Sequence, residues 1–334
     1  MQDLIKEIIV KNFGGSEAEV PLEALDDSSI IEGIVLKSDS HTVKPLFFPG
    51  GDIGRLAISG TVNDIAVMGA EPLALSSGFI IEEGFLMHDF ERIVKSMAET
   101  CHEAGVHVIT GDTKVMEHGS IEKLVVNTSG IGKRSDALDS NIAVVKRYRP
   151  FEARWLLDSN LRRGDKIIVS GTVGDHGVAI LSFTEGYNFG SEIVSDVSPL
   201  NNVIKSLLNV GGIVAMKDPT RGGLANTLNE WSEKSKVGLT IYEDRIPIHE
   251  GVRSACEMLG IDPLEIGNEG KIVIAVVPQK AVEVLDALKE TREGRDASII
   301  GEATDDFHEV VMVTEVGGRR ILAPPVGDPV PRIC

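Results

Sequence analysis

The chain has 334 residues, of which 42% are hydrophobic, and its formal net charge at pH 7 is −18. This length suggests two domains, and this hydrophobic content is enough for extensive cores. The negative charge argues against nucleic acid or an anionic membrane as a primary partner, although Mg²⁺ or local lysines would still allow a nucleotide to bind. There is no signal peptide and no apolar run near about 18 residues, so the sequence predicts a soluble, cytoplasmic protein.

Strand-like and helical segments alternate along the chain. Residues 1–29 begin with an amphipathic helix, because Leu4, Ile8 and Phe13 follow helical spacing. The strands predicted next are Gly33–Asp39, Leu73–Ile81, Val106–Thr110 and Leu124–Gly130, and the helices are Arg55–Met68 and Asp89–Ala104. In the second half the predicted strands are Lys166–Ser170, Leu239–Glu243, Ile272–Val277 and Val310–Thr314, and the helices are His176–Thr184, Leu224–Lys236, Gly251–Leu259 and Lys280–Glu290. This alternation predicts an α/β or α+β fold with domains at 30–150 and 151–320, divided by a polar boundary at 136–165.

The chain has three cysteines, an odd number that gives no even disulfide framework. Cys101 and Cys256 lie on apolar helical stripes, which predicts buried core thiols. Cys334 instead follows a series of prolines, Pro324, Pro325, Pro329 and Pro331. Prolines exclude a helix or a central strand, so residues 321–334 are predicted to form a flexible, partly stiff arm that extends roughly 40–45 Å. A frayed tail is one interpretation, and a thiol carrier that visits more than one site is the other.

Acidic residues replace the usual nucleotide-binding motifs. The chain has no Walker sequence and no G-x-G-x-x-G after a strand. Acidic residues at turns and element ends are Asp26, Asp27, Asp39, Asp64 (after Asn63), Asp112 and Asp218. Such carboxylates suit Mg²⁺ that bridges nucleotide phosphates. Taken singly, each is as well explained by a helix cap, an Asx-turn or a solvated helix face.

Two further segments carry candidate functional groups. The glycine-rich segment Gly171–Gly177 follows a strand and opens a helix, so backbone N–H groups near Gly174 would suit an anion, although a plain strand–turn–helix junction explains it equally well. His176 in this segment is either an acid–base group or an ordinary residue at a helix start. The segment Asn268–Lys271 places Glu269 at the entrance of an apolar strand, where a solvated loop charge is the alternative.

Seven segments of the sequence form a recognisable combination. They are His41–Asp52, Val62–Ala70, Gly111–Lys114, Gly171–Gly177, Lys217–Gly223, Asn268–Lys271 and Pro331-Arg332-Ile333-Cys334. Together they resemble the HypE family of hydrogenase maturation proteins, in the superfamily of aminoimidazole ribonucleotide synthetase, selenophosphate synthetase and thiamine-monophosphate kinase. The Asn-Asp-x-x-x-Met-Gly-Ala element marks the superfamily, whereas the Pro-Arg-Ile-Cys and His-Thr-Val-Lys-Pro segments point to HypE. The resemblance covers almost the whole chain.

The resemblance implies a fold, a reaction and partners. It implies a two-domain fold in which the amino-terminal sheets of two subunits form a barrel across a homodimer, with the nucleotide near that interface. The apolar run Pro45–Pro49 is expected to be exposed in one subunit, which fits burial against another. The implied reaction starts when HypF transfers a carbamoyl group to Cys334. The enzyme then uses ATP and Mg²⁺ to dehydrate the S-carboxamide to an S-cyanate, and cyanide passes through the HypC–HypD complex toward the iron of a nickel–iron hydrogenase.

The resemblance also implies site residues. The expected Mg²⁺ ligands are Asp26, Asp27, Asp39, Asp64 and Asp112. The expected nucleotide contacts are Asp27, Asp39, Lys44, Asn63, Asp64, Asp112, Gly174 and Asp218. The resemblance makes Cys334 the carrier of the carboxamide. The chemistry of the residues selects Lys114 to offset charge on the transferred group and Glu269 as the general base, with His176 as the reserve base.

Two alternatives stay open. One is another ATP-dependent enzyme of the superfamily. A selenophosphate synthetase would carry a reactive cysteine or selenocysteine near its amino terminus, and no cysteine precedes Cys101. The other is a non-catalytic thiol carrier or scaffold, against which the acidic residues and Lys114 argue.

Overall fold

The computed structural model describes residues 4–185 and 193–327, whose strands build two sheets and a short ribbon. The strands are β1 Ser29–Ile31, β2 Ile34–His41, β3 Phe47–Phe48, β4 Gly51–Asp52, β5 Ala70–Glu82, β6 Val108–Met116, β7 Leu124–Arg134, β8 Lys166–Val169, β9 Ile213–Lys217, β10 Gly238–Tyr242, β11 Val273–Val276, β12 Ser298–Thr304, β13 Val310–Val313 and β14 Arg319–Ile321. The longer helices are α1 Ile53–Val67, α2 Met87–Ala104, α3 Asp136–Val145, α4 Asp175–Glu185, α5 Asn201–Val210, α6 Gly223–Ser235, α7 Glu250–Leu259 and α8 Ala281–Lys289. None of the helices in these described ranges is long and apolar enough to cross a membrane.

Each half of the chain contributes one sheet. The first has the order β1-β2-β7-β5-β6 and is antiparallel except for the β5–β6 pair. The second has the order β14-β13-β10-β12-β8-β11-β9 and is antiparallel except for the β10–β13 pair. Helices pack on both sheets, and the predicted α/β (α+β) class is confirmed. The domain limits at 30–150 and 151–320 stay predictions.

Helix α1 lies at the centre of the amino-terminal half. Of its 15 residues, all but Arg55 are buried. Asp52 caps the helix, because its Oδ1 accepts hydrogen bonds from the backbone N–H groups of Gly54 at 2.7 Å and Arg55 at 3.0 Å. A Cβ atom at Gly132 of β7 would lie 2.4 Å from Ile65 Cγ2, so a glycine is required where the helix meets the sheet. This close packing buries the end of α1 that carries Asp64.

Several elements differ from the sequence predictions. The polar stretch predicted as a domain boundary contains α3, which Ser135 caps and which buries Leu138 and Val145. Strands β9 and β12 and helix α5 were not predicted. Strand β6 continues to Met116, so Gly111–Lys114 lies inside a strand rather than at a turn. The reason is pairing with β5, which extends this strand well past its apolar start.

The two ends of the chain differ in how they are held. Ile5–Val10 and Lys11–Phe13 are helical, but Ile8 is 58% and Phe13 is 76% exposed, so the predicted apolar face does not pack within this chain. Near the other end, Leu322 is buried and its N–H donates to Val310 O at 2.8 Å. Residues 328–334, including the predicted carrier Cys334, lie outside the described residues. The predicted burial of Cys101 and Cys256 is confirmed.

The apolar surface lies elsewhere than predicted. In the run Pro45–Pro49, Leu46 and Phe48 are buried inside this chain, so the expected exposed patch there is wrong. Phe48 packs edge-on against His176, with ring centroids 5.4 Å apart. Exposed apolar side chains instead lie on the amino-terminal sheet and its edge strand β6. They are Ile34, Leu36, Leu73, Ile80, Val108, Ile109, Val115 and Ile131.

Candidate active site

A cavity of about 160 Å³ is lined by residues from both halves of the chain, and we call it the acidic cavity. The residues that line it are Asp27, Lys37, Asp39, Ser40, His41, Gly60, Asp64, Asp218, Thr220, Arg221 and Glu269. Among them are four carboxylates that the sequence assigned to Mg²⁺ or nucleotide and the candidate base Glu269. The fold therefore brings together residues that are far apart in the sequence.

Three carboxylates form an acidic cluster within this cavity. Asp27 lies in the lead-in segment before β1, Asp64 lies in α1, and Asp218 directly follows β9. One oxygen from each lies within 4.8 Å of the other two. Mg²⁺ prefers oxygen ligands and completes its shell with water and phosphate oxygens. The cluster fits this requirement, since three elements present hard oxygen atoms to one point.

Burial and mutual repulsion raise the pKa values of the three carboxylates in the cluster. Burial and neighbouring carboxylates raise the pKa of Asp64 well above its ordinary value. Burial and the charge of Asp27 raise the pKa of Asp218 to about 7, and burial also raises the pKa of Asp27. Carboxylates this close disfavour one another's ionised form, and a divalent cation between them would reverse that effect.

Two lysines partly balance this charge. Lys37 Nζ lies 2.8 Å from Asp64 Oδ2. Lys217 Nζ lies 2.7 Å from Asp27 Oδ1 and 3.2 Å from Asp158 Oδ2. Burial opposes the charge of both lysines, but the carboxylates outweigh it and raise the pKa of each. The two ammonium groups therefore stay charged beside the cluster.

Asp26, predicted as a metal ligand, lies in the network behind the cluster. Its Oδ1 accepts a hydrogen bond from the Asp158 N–H at 3.2 Å and lies 3.6 Å from Lys234 Nζ. Burial, followed by the charge of Asp158, raises the pKa of Asp26 to about 7. Adjacent Asp27 belongs to the cluster, whereas Asp26 contacts the backbone of Asp158, and its role as a metal ligand stays a prediction.

Glu269 is buried at the wall of the cavity. Its side chain is 3% exposed, and its Oε1 has no hydrogen-bond partner among the described residues. Its backbone N–H donates to Asp196 Oδ1 at 3.1 Å. Burial, then the charges of Asp218 and Asp39, raise the pKa of Glu269 well above its ordinary value. A carboxylate in this environment is a stronger proton acceptor than one in water.

Asn63 and His176 hold the segment 195–200 beside Glu269. Asn63 Nδ2 donates to Ser198 O at 3.1 Å, and its Oδ1 accepts from the Leu200 N–H at 2.7 Å. His176 is fully buried, and its Nδ1 lies 2.7 Å from Ser195 Oγ. Neither side chain is among those that line the acidic cavity. The structure therefore shows a structural role for both side chains, and the nucleotide contact of Asn63 and the reserve-base role of His176 stay predictions.

Gly174 and Lys44 also lie outside the acidic cavity. The Gly174 N–H, expected to be available to an anion, donates to Asn268 Oδ1 at 2.8 Å. Lys44 is paired with Glu122 and lines a separate cavity of about 320 Å³. Neither predicted phosphate contact is brought to the cluster.

Asp112 and Lys114 lie on the exposed edge strand β6. Gly111 of β6 lies at the same register position as Asp39 of β2, and strands β5 and β7 lie between them. Three strand spacings correspond to about 14 Å. Within one chain, this distance separates Asp112 and Lys114 from the acidic cavity.

Sequence reasoning missed Lys37, His41, Thr220 and Arg221, which line the cavity. A usable signal for two of them was present. Alternate residues of a strand share a face, so Lys37 and His41 accompany Asp39 along β2. The loop residues Thr220 and Arg221 follow Asp218 within the Lys217–Gly223 segment, but no periodicity distinguishes them.

Two domain families match this sequence. The family described as AIR synthase related protein, N-terminal domain, matches residues 25–133, and its C-terminal domain counterpart matches residues 162–314. Both sheets of the structure lie largely within these two ranges.

Individual proteins are similar to this chain over most of their length. The carbamoyl dehydratase HypE of Bradyrhizobium diazoefficiens is 48% identical over 304 residues, which cover 90% of this chain and 83% of that protein. A crystal structure of a HypE–HypF complex matches with a TM-score of 0.87 at 45% identity, covering 96% of this chain and 99% of that one. A crystal structure of hydrogenase maturation protein HypE in complex with ATP matches with a TM-score of 0.83 at 39% identity, covering 100% and 96%. The chain therefore belongs to the HypE family of carbamoyl dehydratases, which act in hydrogenase maturation.

Proposed function

We propose that this carbamoyl dehydratase binds Mg²⁺ and ATP at the acidic cavity and dehydrates a carbamoyl group carried on its own Cys334. The observation that carries the proposal is the convergence of Asp27, Asp64 and Asp218, with one oxygen of each within 4.8 Å of the others. These three residues would hold Mg²⁺, with Asp39 beside them. The solved HypE–ATP complex, similar over the whole chain, supports ATP as the nucleotide.

The proposed chemistry follows from the poor leaving ability of an amide oxygen. ATP transfers its γ-phosphoryl group to the oxygen of the S-carboxamide, which gives ADP and an O-phosphorylated intermediate that loses one nitrogen proton. A base removes the second nitrogen proton as phosphate leaves, and the C≡N bond of the S-cyanate forms. Bound Mg²⁺ would neutralise the charge that develops during phosphoryl transfer.

The path of the chain near its end supports Cys334 as the carrier. The Leu322 carbonyl accepts a hydrogen bond from Asn229 Nδ2 at 2.9 Å, which holds the base of the tail on α6. A Cβ atom at Gly222 would lie 3.0 Å from Pro325 Cγ, so the tail passes the loop that contributes Thr220 to the cavity. The seven residues from 328 to 334 can extend roughly 23 Å. This path near the cavity is consistent with the proposal that the thiol enters it.

Glu269 is the proposed general base. It lines the same cavity as the cluster, and its Oε1 has no other partner within the described part of the chain. A raised pKa makes its carboxylate a suitable acceptor for a nitrogen proton of the phosphorylated carboxamide. Lys114 is proposed to offset charge on the transferred phosphoryl group.

A homodimer is proposed to bring Asp112 and Lys114 to the site. Both are about 14 Å from the cavity in their own chain by strand spacing. They lie on an exposed edge strand, and exposed strand edges are open to pairing with another chain. The exposed apolar residues around them, such as Ile109 at 68% and Val115 at 63%, form the kind of surface that association buries. The second subunit would thus supply Asp112 and Lys114.

This dimer makes a direct prediction. Wild-type protein at micromolar concentration should scatter light as a dimer, whereas Ile109→Lys should give a monomer, because it places a charge in an apolar interface. Val316→Lys is the matched control, since Val316 is 94% exposed in the other half of the chain, and it should stay dimeric. A monomeric wild type would contradict the proposal.

The proposed partners follow the family. The solved HypE–HypF complex, similar to this chain over 96% of its length, supports HypF as the carbamoyl donor. We propose the HypC–HypD complex as the cyanide acceptor and a cytoplasmic location. The net charge of −18 argues against nucleic acid and anionic membranes as partners.

Asp64→Asn tests the metal assignment. The substitution keeps the size of the side chain and removes one charge. Substitutions outside a metal's own ligands already lower metal affinity by about tenfold, so Asp64→Asn should weaken Mg-ATP binding by at least about tenfold. The protein should stay folded, because the loss of the ion pair with Lys37 is offset by relief of the crowding among three buried carboxylates, and the melting temperature checks this. Calorimetric titration with ATP at fixed Mg²⁺ measures the first effect. Asp305→Asn, at a surface ion pair with Arg163, is the control. Wild-type binding by Asp64→Asn would contradict the assignment.

A further inference from the structure

Lys37 faces the acidic cluster from strand β2. Its Nζ lies 2.8 Å from Asp64 Oδ2, and it shares a strand face with Asp39 and His41. Among the described residues that line the acidic cavity, Lys37 is the one lysine. An ammonium group thus lies at ion-pair distance from one of the carboxylates that would hold a divalent cation.

The second lysine of the cluster is held differently. Lys217 Nζ lies within 3.2 Å of carboxylate oxygens of Asp27, Asp158 and Glu230, and its side chain is 9% exposed. Within the described part of the chain, Lys37 has one carboxylate, that of Asp64, at ion-pair distance, and its side chain is 23% exposed. Among the described residues, movement of Lys217 would break three ion pairs, whereas movement of Lys37 would break one. Lys37 is therefore the exchangeable cation of the two.

We propose that Lys37 is the resident counter-ion of the metal-free cluster and a phosphate-binding residue of the loaded site. This inference rests on the proposed function at the same cavity. A cation held by the cluster repels the ammonium group at Asp64, and a bound triphosphate offers it new anionic oxygens in the same cavity. The lysine side chain is long enough to change partner while its strand stays in place.

Replacing Lys37 by methionine separates the two roles, because it should change the affinity for Mg²⁺ and the affinity for ATP in opposite directions. Without the competing ammonium group, Lys37→Met should bind Mg²⁺ alone on the order of tenfold more tightly. With Mg²⁺ at saturation, the same variant should bind ATP on the order of tenfold more weakly, because a charged contact to phosphate is lost. Isothermal titration calorimetry measures both affinities, first with MgCl₂ and then with ATP.

Matched variants exclude simpler explanations. Lys37→Arg keeps the charge and should return both affinities toward the wild-type values. Lys205→Met removes the same charge from a side chain that is 60% exposed on α5, and it should change neither affinity. A Lys37→Met protein damaged in its fold would lose both affinities together and would melt at a lower temperature, which differs from the opposite changes expected.

The outcomes distinguish this inference from the proposed function. If wild-type protein bound no Mg-ATP, both would be overturned. If wild type bound Mg-ATP and Lys37→Met bound Mg²⁺ alone no more tightly than wild type, the counter-ion role would be overturned. If Lys37→Met bound ATP as well as wild type at saturating Mg²⁺, the phosphate role would be overturned, while the proposed function would stand.

Discussion

Cys334→Ala should abolish S-cyanate formation, while Mg-ATP binding and the melting temperature stay at their wild-type values. The reacting carbamoyl group is proposed to be attached covalently to this thiol, so no substrate forms without it. The other two cysteines are poor substitutes, because burial raises the pKa of Cys101 and raises that of Cys256 to about 12. A buried thiol that stays protonated is a weak nucleophile.

The measurement is the mass of the peptide that contains Cys334. Wild-type protein incubated with HypF and a carbamoyl donor should gain a carbamoyl group there, and ATP should then remove the mass of one water. Cys256→Ala is the control, and it should pass through both mass changes. A carbamoyl or cyanate mass on any other peptide of Cys334→Ala would show that the carrier has been assigned to the wrong residue.

The acidic cavity shows what local sequence chemistry can predict. Asp27, Asp39, Asp64 and Asp218 were selected because hard oxygen ligands near turns suit Mg²⁺, and all four line one cavity. The sequence placed both Asp26 and Asp27 among the expected Mg²⁺ ligands, but it could not give the direction of either side chain. That direction depends on partners in other elements, since Asp27 lies beside Asp64 and Asp26 contacts Asp158.

The predicted site residues that do not line this cavity include three with a common property. Asn63, Gly174 and His176 lie in motifs, so each was expected to contact a ligand. Asn63 instead bonds to the Leu200 N–H, 137 positions away, and Gly174 bonds to Asn268, 94 positions away. Buried polar groups must find hydrogen-bond partners, and a long-range backbone partner leaves no local pattern in the sequence. Motif membership alone therefore does not separate ligand contacts from structural hydrogen bonds.

The fold class could be predicted because it depends on local patterns in the sequence. Most predicted strands and helices agree with the structure within a few residues, because the apolar periodicity that defines them is local. Strand β9 was missed although Ile213–Lys217 is fully buried, since a short apolar run has no alternation to identify it. Asp112 and Lys114 show the remaining limit. Their proposed action depends on a second subunit, and no property of one chain's sequence gives the geometry between two.

Glu269→Gln should still accept the carbamoyl group but should dehydrate it roughly 10²–10⁴-fold more slowly, the contribution typical of a positioned general base. Glutamine keeps the shape of the side chain but cannot accept the nitrogen proton. The substitution should leave the melting temperature close to wild type, because burial already disfavours the charged form of Glu269. Because its pKa is raised, the base form becomes available only at higher pH, so wild-type dehydration should accelerate as the pH increases through that value.

The mass of the Cys334 peptide again gives the result, now followed over time after ATP is added. Glu265→Gln is the control, since Glu265 lies four positions earlier and is not among the residues that line the acidic cavity. It should lose one water at the wild-type rate. Normal dehydration by Glu269→Gln would remove Glu269 from the mechanism and leave His176 to be tested. Its burial and its bond to Ser195 make His176 the weaker candidate, since a base must reach the carboxamide in the cavity.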